Sequence, residues 1–300
     1  MVLLITPKFM IPKSPSFVFF GTPEPAVEIL EHLKNAGLMP ELVVTNPDRP
    51  QGRKMTVTPP PVKLWAIKNN TPFLQPETLS NPDFISKLKT GNYQLFVVVA
   101  YGGIIPKEIL AIPEHGSINV HYSLLPKYRG ASPIESQILN DDRNTGVSIM
   151  LLDEKMDHGP ILASALVSVP DWPPTANLLR EASNRVAGPL LAEIIPRWLS
   201  GDLKALPQDH SSATRTRKIL GEDRLIKLTE DPYKNFLKIR AFSAWGSYFF
   251  AERNGKKIRV LIKEAEYKNN TLLIKKVLPE GKKEMSYEDF LRGFNNQTVR

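Results

Sequence analysis

Hydrophobic and polar positions alternate along this chain in blocks of recognisable period. Ser16–Gly21 (SFVFFG) is an unbroken apolar run closed by glycine and predicts a buried strand. Pro25–Gly37 then places Val27, Leu30 and Leu33 at helical spacing and ends on Gly37. Glu41–Thr45 predicts a second strand, and Pro47–Pro61, rich in proline, glycine and basic residues, predicts a loop. Helices are expected over Val62–Asn69 and Pro82–Thr90, a buried strand over Leu95–Ala100, a short helix over Pro106–Leu110 and a strand over Ser117–His121. A helix at Ser132–Leu139, alternating strands at Thr145–Leu152 and Leu162–Val169, and a long amphipathic helix at Ala176–Leu199 follow. Strands alternating with helices predict an α/β domain with a mostly parallel sheet, helices on both faces and ligands at the carboxyl ends of the strands.

The texture then changes. Gly201–Arg217 is polar, with proline, serine and threonine, so residues 202–217 read as a linker. Beyond it come a helix around Tyr233–Ala241 and lysine-rich short strands such as Ile258–Ile262 and Thr271–Val277, the signature of a small β-domain. The resulting organisation is an N-terminal extension over 1–15, a catalytic domain over 16–201, the linker, and a C-terminal domain over 218–300. The prolines at 7, 12 and 15 would break a signal-peptide helix, so the extension is expected to be a short lead-in to the first strand.

Composition narrows the function classes. A chain of 300 residues suggests about two domains, and 42% hydrophobic with 23% charged residues is ordinary for a globular protein. The apolar runs are strand-sized, which excludes a transmembrane helix. With no cysteine, disulfide frameworks, thiolate metal sites and cysteine nucleophiles are excluded, and a cytoplasmic location fits. The net charge of +8 is unevenly placed: residues 1–201 hold 18 basic and 18 acidic side chains, while residues 202–300 hold 21 and 13. An excess confined to the last third suggests that this part meets a polyanion, since phosphate contacts release counterions. A solvated lysine-rich surface would have the same composition.

Four segments could carry chemistry. Gly21-Thr22-Pro23 is not a GxGxxG fingerprint; Pro23 and Pro25 argue against a nicotinamide cofactor, and a simple strand-to-helix turn accounts for it. In Asn119-Val120-His121, residues two apart share a strand face, so an amide donor and an imidazole project together. A buried pair of this kind is more often structural than catalytic. It is followed directly by Ser123–Ile134 (SLLPKYRGASPI), which fits neither period and predicts a long loop at a strand end, a common ligand site. In Leu151–Leu162 (LLDEKMDHGPIL), Asp157 lies four residues after Asp153 on a turn closed by Gly159; it could orient the imidazole or be an ordinary turn residue. His32, His115, His121, His158 and His210 form no HxH or HxxxH pair, so no metal site is expected.

The strings INVHYSLLPKYRGASPI and TGVSIMLLDEKMDHGPIL resemble the 10-formyltetrahydrofolate-dependent formyltransferases. FFGTPEPAVEIL, TNPDRPQGRKMTVTPPPVKLWA, VVVAYGGIIPKEIL, IRAFSAWGSYF and GKKEMSYEDFLRG look like the branch that formylates methionyl-tRNA, over residues 16 to 293. The resemblance implies a Rossmann-like formyltransferase fold with a C-terminal OB-like barrel. It implies Asn119, His121 and Asp157 as catalytic residues and Ser123, Leu124, Leu125 and Pro126 as the folate-contacting stretch. It also implies that the PDRPQGR loop enters the tRNA acceptor end, with Arg53 and Lys54 on the nucleic acid. The co-substrate would be 10-formyltetrahydrofolate, the partner methionyl initiator tRNA, the protein a monomer in the bacterial cytoplasm and no metal required. One departure stands out. Between Tyr267 and Gly281 only one strand-sized segment fits where the family has room for two or three, so a shortened barrel is expected. Competing readings are a formyltransferase of nucleotide-sugar amines, a formyltetrahydrofolate hydrolase, and a non-catalytic RNA-binding protein on the same fold. The basic last third and the PDRPQGR loop argue against the first two, and Asn119, His121 and Asp157 occurring together argue against the third.

Overall fold

The computed structural model describes residues 15–52, 55–253 and 255–293; most of the expected N-terminal extension, and Arg53 and Lys54, lie outside them. The chain begins with strand β1 (Phe17–Gly21), helix α1 (Glu24–Asn35), β2 (Leu42–Val44), β3 (Arg49–Gln51), β4 (Thr56–Thr58) and α2 (Pro61–Lys68). β5 (Phe73–Leu74), α3 (Pro82–Thr90), β6 (Leu95–Val99), α4 (Lys107–Leu110) and β7 (Ser117–His121) follow. Then come β8 (Arg129–Gly130), α5 (Pro133–Leu139), β9 (Gly146–Leu151), β10 (Ile161–Leu166), α6 (Ala176–Leu199) and β11 (Arg215–Thr216). The last elements are α7 (Pro232–Ala241), β12 (Tyr248–Arg253), β13 (Lys256–Lys268), β14 (Thr271–Pro279), β15 (Met285–Ser286) and α8 (Tyr287–Arg292).

Two compact units divide this chain. One contains the residues up to His121, Ile149–Ala163 and Ala187–Gln208; the other contains Tyr122–Ser148, Ser164–Val186 and the residues from Asp209 onward. The main sheet runs in the order β10-β9-β7-β6-β1-β2-β5. β1 pairs in parallel with β2 and β6, β2 with β5, and β6 with β7. The order reverses beside β1, which makes the carboxyl edge around β1 and β6 the place where a crevice opens. All five residues of β1 and of β6 are buried, as continuous apolar strands covered on both faces must be. Val18, Phe20, Leu42, Val44, Phe96 and Val98 form part of the first unit's core with Phe84 and Leu88 of α3. α3 starts where it does because Pro82 follows Asn81, whose side chain accepts from the backbone N–H of Asp83 at 2.8 Å.

In the second unit, β12-β13-β14-β15 form a four-stranded sheet with antiparallel pairs throughout. Its core is Ile226, Phe249, Ala251, Val260, Ile262, Val277 and Phe290. This is the small β-domain the lysine-rich texture predicts, with the single strand β14 between Tyr267 and Gly281. β13 outruns its expected span, reaching Lys268, because the charged run after Ile262 still alternates past a bulge at Ile262–Ala265.

Two segments expected as loops carry strands. Pro47–Pro61 contains the hairpin β3–β4, in which Arg49 opposes Thr58 and Gln51 opposes Thr56; the β-branched run Thr56-Val57-Thr58 supplies the strand preference that prolines on either side conceal. Within Ser123–Ile134, β8 pairs in parallel with β11 of residues 202–217, Arg129 opposite Arg215 and Gly130 opposite Thr216. Such two-residue strands are set by a distant partner and leave no periodic signal.

Candidate functional site

β1 ends on Gly21 because nothing larger fits: a Cβ there would stand 2.6 Å from the Phe19 ring, 2.9 Å from Ala26 Cβ and 3.0 Å from the Val99 carbonyl. The next residue ties the carboxyl edge together. Thr22 Oγ1 donates to the Tyr101 carbonyl (3.3 Å) and accepts from the Asn46 N–H (3.4 Å), while Asn46 Nδ2 donates to the same carbonyl (3.3 Å). The ends of β1, β2 and β6 are thereby fixed to one another, which is a structural role for the Gly21-Thr22-Pro23 turn.

Along the same edge, β7 delivers the amide and the imidazole. Asn119 is opposite Val98 of β6, and His121 ends the strand two residues later, on the same face. His121 is 5% exposed at its side chain and Asp157 12%. Asp157 Oδ2 stands 3.6 Å from His121 Nδ1, an ion-pair separation longer than a hydrogen bond. The resemblance in sequence thus joins residues that the fold brings together: 36 positions apart in the chain, His121 and Asp157 meet at the edge of one sheet.

Asp157 sits on a short loop, Leu152–Pro160, whose backbone is tied at several points. The Leu152 N–H donates to the Ser117 carbonyl of β7 (2.7 Å), and the Leu151 N–H to the Pro160 carbonyl (2.9 Å). Asp153 Oδ1 accepts from the Lys155 N–H (2.9 Å), and Asp153 Oδ2 pairs with His158 Nδ1 (2.6 Å). Gly159 passes so close to β9 that a Cβ would lie 2.0 Å from the Leu151 carbonyl oxygen. Gln208 Nε2 donates to the Asp157 carbonyl (3.0 Å) and the Gly159 carbonyl (2.6 Å). Asp157 itself has φ +50°, in the left-handed region that few non-glycine residues adopt. Asp153 and Asp157 therefore take different parts: Asp153 is a loop tie, and Asp157 faces the imidazole.

The stretch after β7 belongs to the second unit. Ser123 is fully buried and its hydroxyl donates to the Lys127 carbonyl (2.6 Å); the Leu125 N–H donates to Ser148 Oγ (3.1 Å), which donates to the Ser123 carbonyl (2.8 Å). Ser123 and Leu125 thus hold the loop's shape, leaving Leu124 and Pro126 as its half-buried members.

In the first unit, a cavity of about 410 Å³ opens at the ends of β2, β5 and β6, lined by Asn46, Arg49, Glu77, Ser80, Tyr101 and Ile104 among others. Burial pushes the Tyr101 hydroxyl up to about 12, so it stays protonated at neutral pH. Beside it, the base of the β3–β4 hairpin is anchored by Asp48, which accepts from Gln75 (2.8 Å) and Lys63 (2.7 Å); these bonds hold its carboxyl below the usual range. Beyond that anchor the hairpin presents Met55 and Val57, 67% and 61% exposed. Among the described residues there is no group of His, Asp and Glu that could hold a metal, and no helix long and apolar enough to cross a membrane.

Two contributors were missed in sequence: Gln208, in a polar segment without periodicity, and the Asn46–Tyr101 tie, made through a backbone carbonyl. Neither leaves a motif-like signal.

The model of the formyl transferase family matches residues 16–191. A methionyl-tRNA formyltransferase of Chloroflexus aurantiacus is 44% identical over 236 residues, 78% of this chain and 75% of its own length. One from Halalkalibacterium halodurans is 36% identical over 303 aligned positions, 93% of this chain and 95% of its own. Among solved structures, an N-formyltransferase of Helicobacter canadensis in complex with folinic acid and dTDP-3-aminofucose superposes with a TM-score of 0.58, at 19% identity over 87% of this chain and 95% of that one.

Proposed function

The chain belongs to the formyl transferase family, among the methionyl-tRNA formyltransferases, and we propose that Asn119, His121 and Asp157 carry its reaction. That reaction transfers the formyl group of 10-formyltetrahydrofolate to the α-amine of methionine on initiator tRNA. The observation that supports this assignment is the meeting of His121 with Asp157 at 3.6 Å, in a buried setting, two strand positions from Asn119 on the same face.

The chemistry follows from the acceptor. The neutral amine attacks the formyl carbon, its nitrogen forms the new C–N bond, and the carbonyl oxygen becomes an oxyanion. The Asn119 amide and a protonated His121 donate to that oxygen; losing one such donor costs about 10²–10³ in rate in a protease example. The bond from the formyl carbon to N10 of the folate then breaks. The amine gives up one proton and N10 receives one, so atoms balance with no covalent enzyme intermediate. Asp157 holds the imidazole in place and manages that proton, a role contributing about 10²–10⁴-fold. Ser123–Pro126 shapes the folate pocket, with Leu124 and Pro126 offering apolar contact. Arg53 and Lys54 grip the acceptor end of the tRNA.

We further assign catalysis to residues 16–201, connection to 202–217 and electrostatic capture of tRNA to 218–300, in a cytoplasmic monomer. The charge excess of the last third supports that division, because a polyanion of many phosphates is held by many weak contacts.

The test is formyl transfer by the purified protein supplied with 10-formyltetrahydrofolate and methionyl initiator tRNA, across a salt series. Formyl-methionyl-tRNA should form, disappear with Asn119→Ala, and form more slowly as salt rises. Tight formyl-folate binding without product would overturn the assignment of the acceptor.

A further inference from the structure

The loop that carries Asp157 has an unusual problem. Its functional carboxylate sits on a residue with φ +50°, in the left-handed region, a conformation that side-chain-bearing residues rarely adopt and that its surroundings must hold. The ties within the loop, Asp153 to His158 and Asp153 to the Lys155 N–H, lie ahead of or across Asp157 and do not touch its peptide groups. One group that does is Gln208. Its Nε2 donates to the carbonyl of Asp157 at 3.0 Å and to that of Gly159 at 2.6 Å, one on each side of His158. A primary amide has two N–H donors on one nitrogen, which is the chemistry needed to bracket two carbonyls two residues apart.

Gln208 is itself rigidly presented. It is 6% exposed, and Leu206, two residues before it, exchanges both backbone bonds with Ile161 at 2.8 Å, adding a bridge to the start of β10. The segment thus fixes Gln208 against the strand that leaves the loop, and Gln208 fixes the peptide planes that follow Asp157 and Gly159. All of these residues belong to the first unit.

We propose that Gln208 is a positioning residue for the formyl transfer: it sets the backbone of Asp157 so that the carboxylate faces His121. This rests on Asp157 acting in the reaction. The consequence is specific. Losing the two donors lets the loop relax out of the left-handed conformation and swings the carboxylate from the imidazole, without removing a group that binds either substrate. The loss therefore falls on kcat and spares KM. A merely structural Gln208 would lower thermal stability and leave the turnover of the folded enzyme intact.

Gln208→Met keeps the length of the side chain, removes both donors and adds no buried polar group. Trp198→Phe serves as the comparison, because it deletes another long-range side-chain bond of the same unit, from Trp198 Nε1 to the His115 carbonyl (2.9 Å), rather than a bond to the Asp157 or Gly159 carbonyl. The expected result is a fall in kcat of about ten- to a hundredfold for Gln208→Met, the scale of a misplacement near 1 Å, with both KM values within about threefold. Trp198→Phe should lower Tm without that loss of kcat. Gln208→Asn, which retains the donors on a shorter stem, should lie between Gln208→Met and the native enzyme. Amide hydrogen exchange over Lys155–Gly159 should rise in Gln208→Met and not in Trp198→Phe. Turnover of Gln208→Met equal to that of Trp198→Phe, with exchange over the loop unchanged, would overturn the proposal. If the exchange rises while Asp157→Asn retains full turnover, the clamp stands as geometry and the catalytic role of Asp157 is what fails.

Discussion

The Asp157 loop and the C-terminal sheet solve opposite problems. The loop Leu152–Pro160 gathers a close glycine contact, a carboxylate–imidazole pair and two donated amide bonds around a single residue. The sheet β12–β15 spreads its charge. Lys276 pairs with Glu264 at 2.9 Å, Lys275 with Glu266 at 3.4 Å, and these pairs are about half exposed, where a single pair contributes little. The loop depends on each atom; the charged face of the sheet depends on a sum over its exposed ionic side chains, any one of which is dispensable. Acyl transfer needs the first kind of order and capture of a polyanion needs the second.

That contrast can be broken from the loop side first. Asp157→Asn keeps the shape and removes the charge, and should lower kcat about 10²–10⁴-fold with little change in Tm; steady-state kinetics beside thermal melting would check both. Asn119→Ala should cost about 10²–10³ in kcat while formyl-folate binding, followed by fluorescence or calorimetry, persists. The core of the sheet comes next. Phe249 is fully buried, touching Tyr287 and Phe290 edge-on, so Phe249→Ala should destabilise its unit by about 3–5 kcal/mol, seen in denaturant unfolding.

Smaller effects sharpen the comparison. Lys256→Ala and Lys257→Ala, on exposed positions, should each weaken tRNA binding mildly and reduce the slope of log K against log salt by about 1 or less, with formyl-folate KM unmoved. The smallest effect concerns Asp48. Hydrogen bonds from Gln75 and then Lys63 hold its carboxyl below the usual carboxylate range, so the interaction contributes fully above that range and is lost as pH falls through the lowered one. Asp48→Asn should therefore lower Tm slightly at pH 7, and the difference from the native protein should shrink as pH falls through the lowered range.

How much of this was legible in sequence depends on the range of the interaction. Asn119 and His121 are two apart on a strand, so alternation alone places them together. Asp157 is not reachable that way: the sequence offers it as a carboxylate on a turn, with a role implied by the resemblance of a whole segment, and the structure places it 3.6 Å from His121. α3, β7 and α6 appear at their expected limits because caps, prolines and apolar periods are local. The hairpin β3–β4 was hidden by the prolines that bound it. Gln208 was hidden more completely, since it acts 49 to 51 residues away in the chain and on backbone carbonyls, which any residue type presents alike.

The central claim is that His121 and Asp157 act as a pair on the transferred formyl group. The most direct test is the single-turnover rate of formyl transfer across pH 5 to 9, with both substrates saturating, for the native protein and Asp157→Asn. The account predicts a rate lowered by about 10²–10⁴-fold in the variant and an altered pH dependence, with substrate binding retained. A native rate and an unchanged profile in Asp157→Asn would contradict it.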